Sequence, residues 1–281
     1  MLRVAIPNKG TLSEPARAML RESGYYAASS SRELVVHDPD NDADFFFLRP
    51  RDIATYVGEG TLDVGITGRD MLLDSAAPAD ELLQLGFGGS TFRIAAPKGS
   101  ATSFSDLNGK RIATSYAGVL DRWLVAQGID AKVVELDGAV ENAVALGVAD
   151  WVADVVDTGT TLRQAGLEVI GDPIMRSEAI VVRRSGAPVD PAVETFIRRL
   201  NSVMVARAYV LVDYDIRREL LARACALTPG IESPTISDLA NAEWAAVRAM
   251  CIRRDVHRVM DELYDMGARG ILVTDIHACR L

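Results

Sequence analysis

The sequence predicts an α/β fold in two units, followed by a small α+β domain. In the first half of the chain, short apolar runs typical of β-strands alternate with amphipathic helical patterns. The alternation restarts near residue 90, and after about Tyr209 the order of elements changes to β-α-β-β-α-β. The first pattern favours largely parallel sheets covered by helices, and the second is typical of a ferredoxin-like domain.

The first unit begins with the strand "RVAIP", which is followed by a helix through "SEPARAMLRESG". The next strands are "ELVVHD" and "DFFFLRP", and a helix through "RDIATYVGEG" leads to the strand "LDVGITG". Strands separated by helices can lie parallel in one sheet. We therefore expect the strands of this unit to end at a common edge.

The second unit has the strands "FRIAAP", "RIATSY", "AKVVEL" and "WVADVV". Its predicted helices run through "GVLDRWLVAQG" and "GAVENAVALGVA". A later strand, "AIVVRR", precedes a long helix over residues 191–208. That helix leads from the α/β part into the last domain.

In the last domain, the predicted strands are "YVLVDYD", "TISDL", "EWAAVRAMCI" and "GILVTDI". The predicted helices run through "IRRELLARACAL" and "RRDVHRVMDELYDMGA"; Asp255 begins the second and Gly267 ends it. Alternation along the first strand places Asp213 and Asp215 on one side and Tyr214 on the other.

The composition excludes several classes of protein. The chain has 281 residues, 49% of them hydrophobic and 25% charged, with a formal net charge of -9. An acidic balance argues against general nucleic-acid binding, and the absence of a long apolar run argues against a membrane span. The three cysteines show no C-x-x-C spacing and no clustering with histidines, so neither a disulfide framework nor a zinc site is expected. These features predict a cytoplasmic protein.

The stretch "ADVVDTGTTL" has the parts of a phosphate-binding loop. Gly159 allows successive backbone amides to point at one spot, and Thr158, Thr160 and Thr161 add hydroxyl donors where a helix begins. A carboxylate beside a phosphate is repelled unless it faces sugar hydroxyls or a metal, so Asp157 indicates a phosphorylated sugar. The alternative is that the loop only caps a helix.

Spacing around this loop resembles the signature of the ATP phosphoribosyltransferases, the family that begins histidine biosynthesis. The matching positions are Glu141, Gly147, Ala149, Val152, Asp154, Thr158, Gly159, Thr161 and Leu162. The segments "NKGTL", "FFFLRPRDIATYVGEGTLDVGITGRD", "RIATSY" and "ESPTIS" also resemble that family in the same order. The resemblance therefore covers nearly the whole chain.

This resemblance implies a catalytic part of two lobes, like the type II periplasmic binding proteins, with the active site in the cleft. It implies a long form whose ferredoxin-like (ACT-like) C-terminal domain binds histidine as feedback inhibitor. The boundaries expected are 1–90 with about 178–208 for catalytic domain I, 91–177 for domain II, and 209–281 for the regulatory domain. The implied oligomers are dimers that assemble to hexamers.

The implied reaction joins C1 of phosphoribosyl pyrophosphate to N1 of the adenine of ATP and releases pyrophosphate, with Mg²⁺ as cofactor. The lone pair at N1 needs no strong base, so positioning and electrostatics should dominate. Neither nucleic acid nor membrane is an expected partner. The expected small-molecule partners are ATP, phosphoribosyl pyrophosphate and L-histidine.

The family pattern implies roles for individual residues. The expected phosphoribosyl pyrophosphate ligands are Asp154, Val155, Val156, Asp157, Thr158, Gly159, Thr160 and Thr161, with Asp154 or Asp157 facing ribose hydroxyls or the metal. The expected ATP ligands are Lys9, Gly10, Arg49, Arg69, Asp70 and Tyr116. Catalytic roles fall to Lys9, Arg49 and Asp154. The histidine site would involve Asp215, Ile231, Thr235 and Gly270.

Plainer interpretations of these residues stay open at the level of sequence. Lys9 and Arg49 follow strand ends, where a basic side chain is usually just solvated. Arg69 and Asp70 fit a surface ion pair, and Tyr116 fits a half-buried packing residue. A prephenate dehydratase-like enzyme would share the fold but has no need for a sugar-phosphate loop. A two-lobed small-molecule-binding protein would share it too, and is disfavoured because the sequence shows neither an export signal nor an N-terminal helix-turn-helix.

Overall fold

The computed structural model of the protein describes residues 1–26, 34–100, 103–156 and 159–280. These form two compact units, residues 1–21 with 25–194 and residues 22–24 with 195–281. The predicted domain boundaries near residues 90, 177 and 208 stay a prediction. Among the described residues, no helix is long and apolar enough to cross a membrane.

The elements of the first unit follow the predicted alternation. In chain order they are β1 (Leu2–Pro7), α1 (Ser13–Glu22), β2 (Val35–Asp38), β3 (Ala43–Leu48), α2 (Pro50–Gly58), β4 (Val64–Gly68), α3 (Arg69–Ser75), β5 (Ala79–Gln84), β6 (Ser90–Pro97), β7 (Arg111–Thr114), α4 (Ala117–Gln127), β8 (Lys132–Glu135), α5 (Asn142–Ala145), β9 (Trp151–Val156), α6 (Thr160–Gln164), β10 (Leu167–Ser177), β11 (Ala179–Arg184) and α7 (Pro191–Ala208), which continues into the second unit.

The first sheet has the strand order β2-β3-β1-β4-β11-β5, and with α1, α2 and α3 it forms what we call lobe I. Strands β3, β1 and β4 run parallel, so their carboxyl ends lie at one edge. All five residues of β4 are buried, and Gly65 lets α2 approach this strand closely. The ideal position of a Cβ atom at Gly65 lies 2.5 Å from Cγ2 of Ile53.

The second sheet has the strand order β10-β6-β9-β7-β8, and with α4, α5 and α6 it forms lobe II. Strands β9, β7 and β8 run parallel. The core on one side of the sheet includes Phe92, Ile94, Ile112 and Leu120. The ends of β7 and β9 therefore meet at one edge. Tyr116 follows β7, and the segment with the sequence "DTGTT" (157–161), which we call the glycine-threonine loop, follows β9.

The chain crosses between the lobes twice, once from β5 to β6 and once from β10 to β11. Backbone hydrogen bonds tie these crossings together, from Leu85 N to Ala179 O at 2.9 Å and from Ala179 N to Phe87 O at 2.9 Å. Two lobes joined by two adjacent crossings confirm the predicted two-lobed α/β class of the type II periplasmic-binding-protein kind.

The second unit contains the predicted ferredoxin-like domain. After α7 its elements are β12 (Tyr209–Arg217), α8 (Leu221–Leu227), β13 (Thr235–Asp238), β14 (Trp244–Ile252), α9 (Val256–Asp265) and β15 (Arg269–Asp275). The strand order is β13-β14-β12-β15, and all neighbours are antiparallel. Tyr214 is buried with its hydroxyl 2.7 Å from Thr228 Oγ1, while Asp213 and Asp215 lie on the opposite face as predicted.

Some element predictions were wrong. The helix expected through "GAVENAVALGVA" is reduced to α5, because Gly138, Ala139 and Gly147 take left-handed backbone angles. The helix expected through "IRRELLARACAL" begins only at Leu221, since β12 extends to Arg217. Strands β5 and β10 were not predicted, because "ADELLQ" and "LEVIGDPIMRS" lack clear alternation.

Candidate functional site

A cavity of about 290 Å³ lies between the lobes, beside the crossings. Its walls include Leu12 and Asp70 of lobe I, Gly89 of the first crossing, and Tyr116 and Val155 of lobe II. A neighbouring cavity of about 420 Å³ shares Gly89 with it and is lined further by Val156. Ligands in open α/β sheets gather at the carboxyl ends of the strands, which is where both cavities lie.

Lys9 and Arg49 follow neighbouring parallel strands. Asn8 N donates to Leu48 O at 2.8 Å, so the two basic residues follow residues that are hydrogen-bonded to each other. Both side chains are exposed, and Gly10 takes a left-handed φ of 79° that turns the loop. The structure therefore brings these two predicted cations to one edge of lobe I.

The loop after β1 is held against the first crossing by Leu12. This side chain is 6% exposed, and the ideal position of a Cβ atom at Gly88 lies 2.3 Å from Leu12 Cδ2. Gly88 also has a left-handed φ of 65°, so both its conformation and its contact require glycine. The position of the loop that carries Lys9 therefore depends on the crossing.

Asp70 is a buried carboxylate that contacts both lobes. It is 5% exposed; Ser177 Oγ donates to its Oδ1 at 2.8 Å and accepts from its backbone N–H at 3.0 Å. The hydroxyl of Tyr116 also hydrogen-bonds to Asp70, and burial together with this carboxylate raises the pKa of Tyr116. Asp70 and Tyr116 thus form one network with the second crossing.

The Tyr116 ring is in contact with two other side chains. The Arg51 guanidinium lies 4.3 Å from the ring centroid, and Phe92 packs edge-on at 5.7 Å. The ring is 7% exposed, as expected for the packing alternative. Stacking of adenine on Tyr116 stays a prediction, and on the face that Arg51 covers it would require Arg51 to move.

Asp154 lies in β9 of lobe II, one residue before Val155, which lines the cavity between the lobes. Burial raises the pKa of Asp154 to about 6, and the nearby negative charge of Glu141 acts in the same direction. The Val155 backbone N–H donates to Asp154 Oδ1 at 2.8 Å, and this bond and the charge of Arg51 act in the opposite direction. Such a carboxyl is poised to gain a cationic or hydroxyl partner.

The glycine-threonine loop follows β9, the strand that contains Asp154. Gly159 has a left-handed φ of 69° and precedes α6, and the Thr160 and Thr161 side chains are exposed. Arg163 Nη2 donates to Thr160 Oγ1 at 3.2 Å. The predicted ligands Asp157 and Thr158 lie outside the described residues. The described part of the loop thus presents hydroxyls and a cation at the edge of lobe II.

Arg69 forms an ion-pair network within lobe I. Its Nε and Nη2 donate to the Glu81 carboxylate at 2.8 Å each, and Nη2 lies 3.4 Å from Glu178 Oε1. Hydrogen bonding to Glu81 raises the pKa of Arg69 and lowers that of Glu81. This geometry agrees with the ion-pair alternative, although its partners differ from the one expected, and the ATP contact of Arg69 stays a prediction.

A metal ion at this site could be held by Asp154 and Glu141 together with substrate oxygens. Among the described residues, no three His, Cys, Asp or Glu side chains are grouped so as to hold a metal ion. Asp154 and Glu141 are close enough to influence each other's charge. Mg²⁺ is commonly held by one or two carboxylates and substrate phosphates, so this pair fits a metal bound together with a diphosphate.

In the second unit, the predicted histidine ligands share one face or edge of the sheet. The ideal Cβ position of Gly270 lies 3.8 Å from Asp215 Oδ2, so these two residues are neighbours. Thr235 lies opposite Arg248 on the same face, and Ile231 is 40% exposed in the preceding turn. Their role stays a prediction.

Sequence reasoning missed several residues of the cleft. Arg51 was passed over in favour of Arg49, Ser177 lies in an unpredicted strand, and Arg176 lines the second cavity. The signal for Arg51 was its place in the first turn of α2, two residues after Arg49. The run "GFGGS" over residues 86–90 signalled the first crossing.

The chain is similar to known proteins of one family. The family model described as HisG, ATP phosphoribosyltransferase, matches residues 49–202, and the model described as HisG, C-terminal domain, matches residues 206–278. A Pseudarthrobacter chlorophenolicus protein named ATP phosphoribosyltransferase is 62% identical over 284 residues, covering 100% of both chains. One from Streptomyces coelicolor is 59% identical with the same coverage.

A solved structure is also similar. It is the ATP phosphoribosyl transferase (HisG:HisZ) complex from Thermotoga maritima, with a TM-score of 0.62 and 30% identity. The similarity covers 72% of this chain and 97% of that chain.

Proposed function

This chain belongs to the ATP phosphoribosyltransferase family, and we propose that the cleft between its lobes is where the phosphoribosyl group passes from phosphoribosyl pyrophosphate to N1 of ATP. The observation that carries the proposal is that one cavity is lined from lobe I by Thr11 and Leu12, in the loop that carries Lys9, and from lobe II by Val155, the residue after Asp154 in β9. Membership in this family sets aside the prephenate dehydratase-like and binding-protein alternatives.

The reaction makes two physical demands on the cleft. The leaving pyrophosphate needs cations, and C1 of the ribose must be held in line with N1 of adenine as positive charge develops. Lobe I supplies Lys9 and Arg49 at adjacent strand ends, and Arg176 lines the cavity beside β9. We assign these three cations to the pyrophosphate and triphosphate groups.

The phosphoribosyl group belongs on lobe II in this proposal. Exposed hydroxyls of Thr160 and Thr161 and the amides after Gly159 can donate to the 5′-phosphate. Asp154 precedes this loop in β9, and its ionised form accepts hydrogen bonds from ribose hydroxyls. Its negative charge also stabilises the positive charge that develops at C1.

A divalent metal fits beside Asp154 and Glu141 together with substrate oxygens, and we propose Mg²⁺ as the ion. When bound, Mg²⁺ supplies charge neutralisation for the pyrophosphate. The protein holds Asp154 in a mostly buried place, where ribose hydroxyls or the bound metal would replace the water that the carboxylate has lost and so favour its ionised form.

Replacing Thr161 by alanine tests the phosphate assignment. The variant should raise the KM for phosphoribosyl pyrophosphate about tenfold with a smaller change in the KM for ATP, because one hydroxyl donor to a charged group is lost. Thr61→Ala is the matched control. Thr61 is exposed and lies just before β4, at the end of that strand far from the cleft, so the variant should leave both KM values unchanged. Unchanged steady-state constants in Thr161→Ala would remove the phosphate role of this hydroxyl.

We also propose that the ferredoxin-like domain binds L-histidine as a feedback inhibitor, with Asp215 receiving its amino or imidazolium group. Asp215 lies beside the glycine of β15, where no side chain blocks a small ligand. Assembly of dimers into hexamers is proposed together with this role.

Calorimetry with L-histidine and the full chain tests the site. Asp215→Asn should weaken binding about tenfold or more, since a charge-assisted hydrogen bond is lost. Asp265→Asn, an exposed carboxylate at the end of α9, should bind as the native chain does. Equal affinity in both variants contradicts the assignment of Asp215.

A further inference from the structure

Helices α3 of lobe I and α4 of lobe II meet end to end beside the cleft. The N-cap residue of α4, Tyr116, makes no side-chain capping hydrogen bond. Instead, the backbone N–H of Val119 donates to Asp74 Oδ1 at 3.1 Å. In return, Arg122 donates to the Leu73 carbonyl near the end of α3. Each lobe thus satisfies polar groups at a helix end of the other lobe.

The same carboxylate also holds a cation of the cleft. Asp74 Oδ2 lies 3.3 Å from Arg51 Nη1, and the Asp74 side chain is only 17% exposed. Arg51 in turn lies over the Tyr116 ring, whose hydroxyl bonds to Asp70 in the cleft wall. One side chain therefore connects α3, the start of α4 and the Arg51 guanidinium, whose charge lowers the pKa of Asp154.

The two helix ends approach too closely for any side chain at Gly118. The ideal position of a Cβ atom there lies 2.6 Å from the Asp74 carbonyl oxygen and 3.3 Å from Asp74 Oδ1. The φ of Gly118 is not positive, so glycine is required here for closeness and not for backbone angle. The absence of a side chain at Gly118 thus lets the Asp74 carboxylate reach the backbone amides at the N-terminus of α4, where a negative charge is favoured.

We propose that Asp74 is a positioning residue for the transfer reaction: it clasps lobe II to lobe I and fixes Arg51 against Tyr116, so that the two halves of the cleft face each other before substrates bind. Asp74 does not line the cavity, so it acts through these partners. Without the clasp, part of the substrate binding energy must be used to bring the lobes together, which raises the apparent dissociation constants.

Amide hydrogen exchange of the full chain without substrates tests the clasp independently of the proposed function. In Asp74→Ala, exchange at Val119 should be at least tenfold faster, while the buried strands of each lobe keep their native rates. Gly118→Ala, which pushes the two helix ends apart without removing a charge, should give the same change. The control Asp121→Asn removes an exposed charge from α4 and should leave Val119 unchanged.

Kinetics then test positioning, and this part rests on the proposed function. Both Asp74→Ala and Gly118→Ala should raise the KM of at least one substrate about tenfold, with kcat within about threefold, because saturating substrates can hold the lobes together. Asp74→Asn, which keeps an acceptor for Val119 but loses the ion pair, should lie between. If Val119 exchange is native in Asp74→Ala and Gly118→Ala, or if only thermal stability falls while KM is unchanged, the proposal is wrong. A native chain without activity would instead contradict the proposed function. Amide hydrogen exchange at Val119 would still test whether Asp74 holds the two lobes together.

Discussion

Asparagine in place of Asp154 should lower kcat/KM for phosphoribosyl pyrophosphate about 100-fold while making the substrate-free chain more stable at neutral pH. The activity falls because a neutral amide can neither stabilise positive charge at C1 nor help to hold a divalent ion. In the native enzyme, kcat/KM should also fall below about pH 6, as the carboxylate with its raised pKa becomes protonated. The measurement is steady-state kinetics from pH 5 to pH 8.

The stability change has a defined sign. A carboxyl whose pKa rises from 3.8 to about 6 on folding favours the folded state at low pH, and this contribution is lost as pH rises through about 6. Asp154→Asn removes that loss, so the unfolding free energy of the variant should exceed that of the native chain by about 3 kcal/mol at pH 8 and by less than about 1 kcal/mol at pH 4. Urea unfolding at both pH values measures the difference. A variant that is less stable than the native chain at pH 8 would contradict the claim that burial of the ionised Asp154 carboxylate destabilises the fold.

Alanine at Gly65 should cost about 2 to 3 kcal/mol of unfolding free energy, because the added methyl group overpacks a buried contact. The ideal Cβ position lies 2.5 Å from Ile53 Cγ2, 3.1 Å from Val57 Cγ2 and 3.2 Å from Ala5 Cβ, all in the buried core of lobe I. Helix α2 would have to move away from β4. The urea midpoint of the purified variant measures the cost.

Gly89 provides the matched control for this substitution. An added Cβ there has no atom within 4 Å, and the backbone φ is not positive. Gly89→Ala should therefore leave the urea midpoint within experimental error. If both variants unfold at the same urea concentration as the native chain, close packing at Gly65 is not what fixes α2 on the sheet.

Hydrophobic periodicity was sufficient to predict those helices and strands that bury one regular face. The helix over residues 191–208 was predicted with its observed bounds, and the order of the ferredoxin-like strands followed from short apolar runs separated by helical patterns. The alternation in "YVLVDYD" correctly placed Tyr214 inside and the two aspartates outside. Local sequence carries this information because neighbours along the chain decide it.

The arrangement across the cleft was not available from local pattern. Asp70 meets Ser177 across 107 positions of sequence, and Asp74 caps a helix 45 positions later. Arg51 looked like any surface residue in the first turn of a helix, and only the packing of lobe II against it shows its contact with Tyr116. Such contacts depend on how the two lobes meet, which no periodicity encodes.

The most direct measurement of the central claim is ultraviolet absorbance during incubation of the purified chain with ATP, phosphoribosyl pyrophosphate, Mg²⁺ and a pyrophosphatase. Attachment of ribose to N1 alters the adenine chromophore, and removal of pyrophosphate pulls the reaction forward. The account predicts a progressive spectral change that requires both substrates and is about 100-fold slower in Asp154→Asn. A native chain that leaves the spectrum unchanged, or an Asp154→Asn chain as fast as the native one, would contradict it.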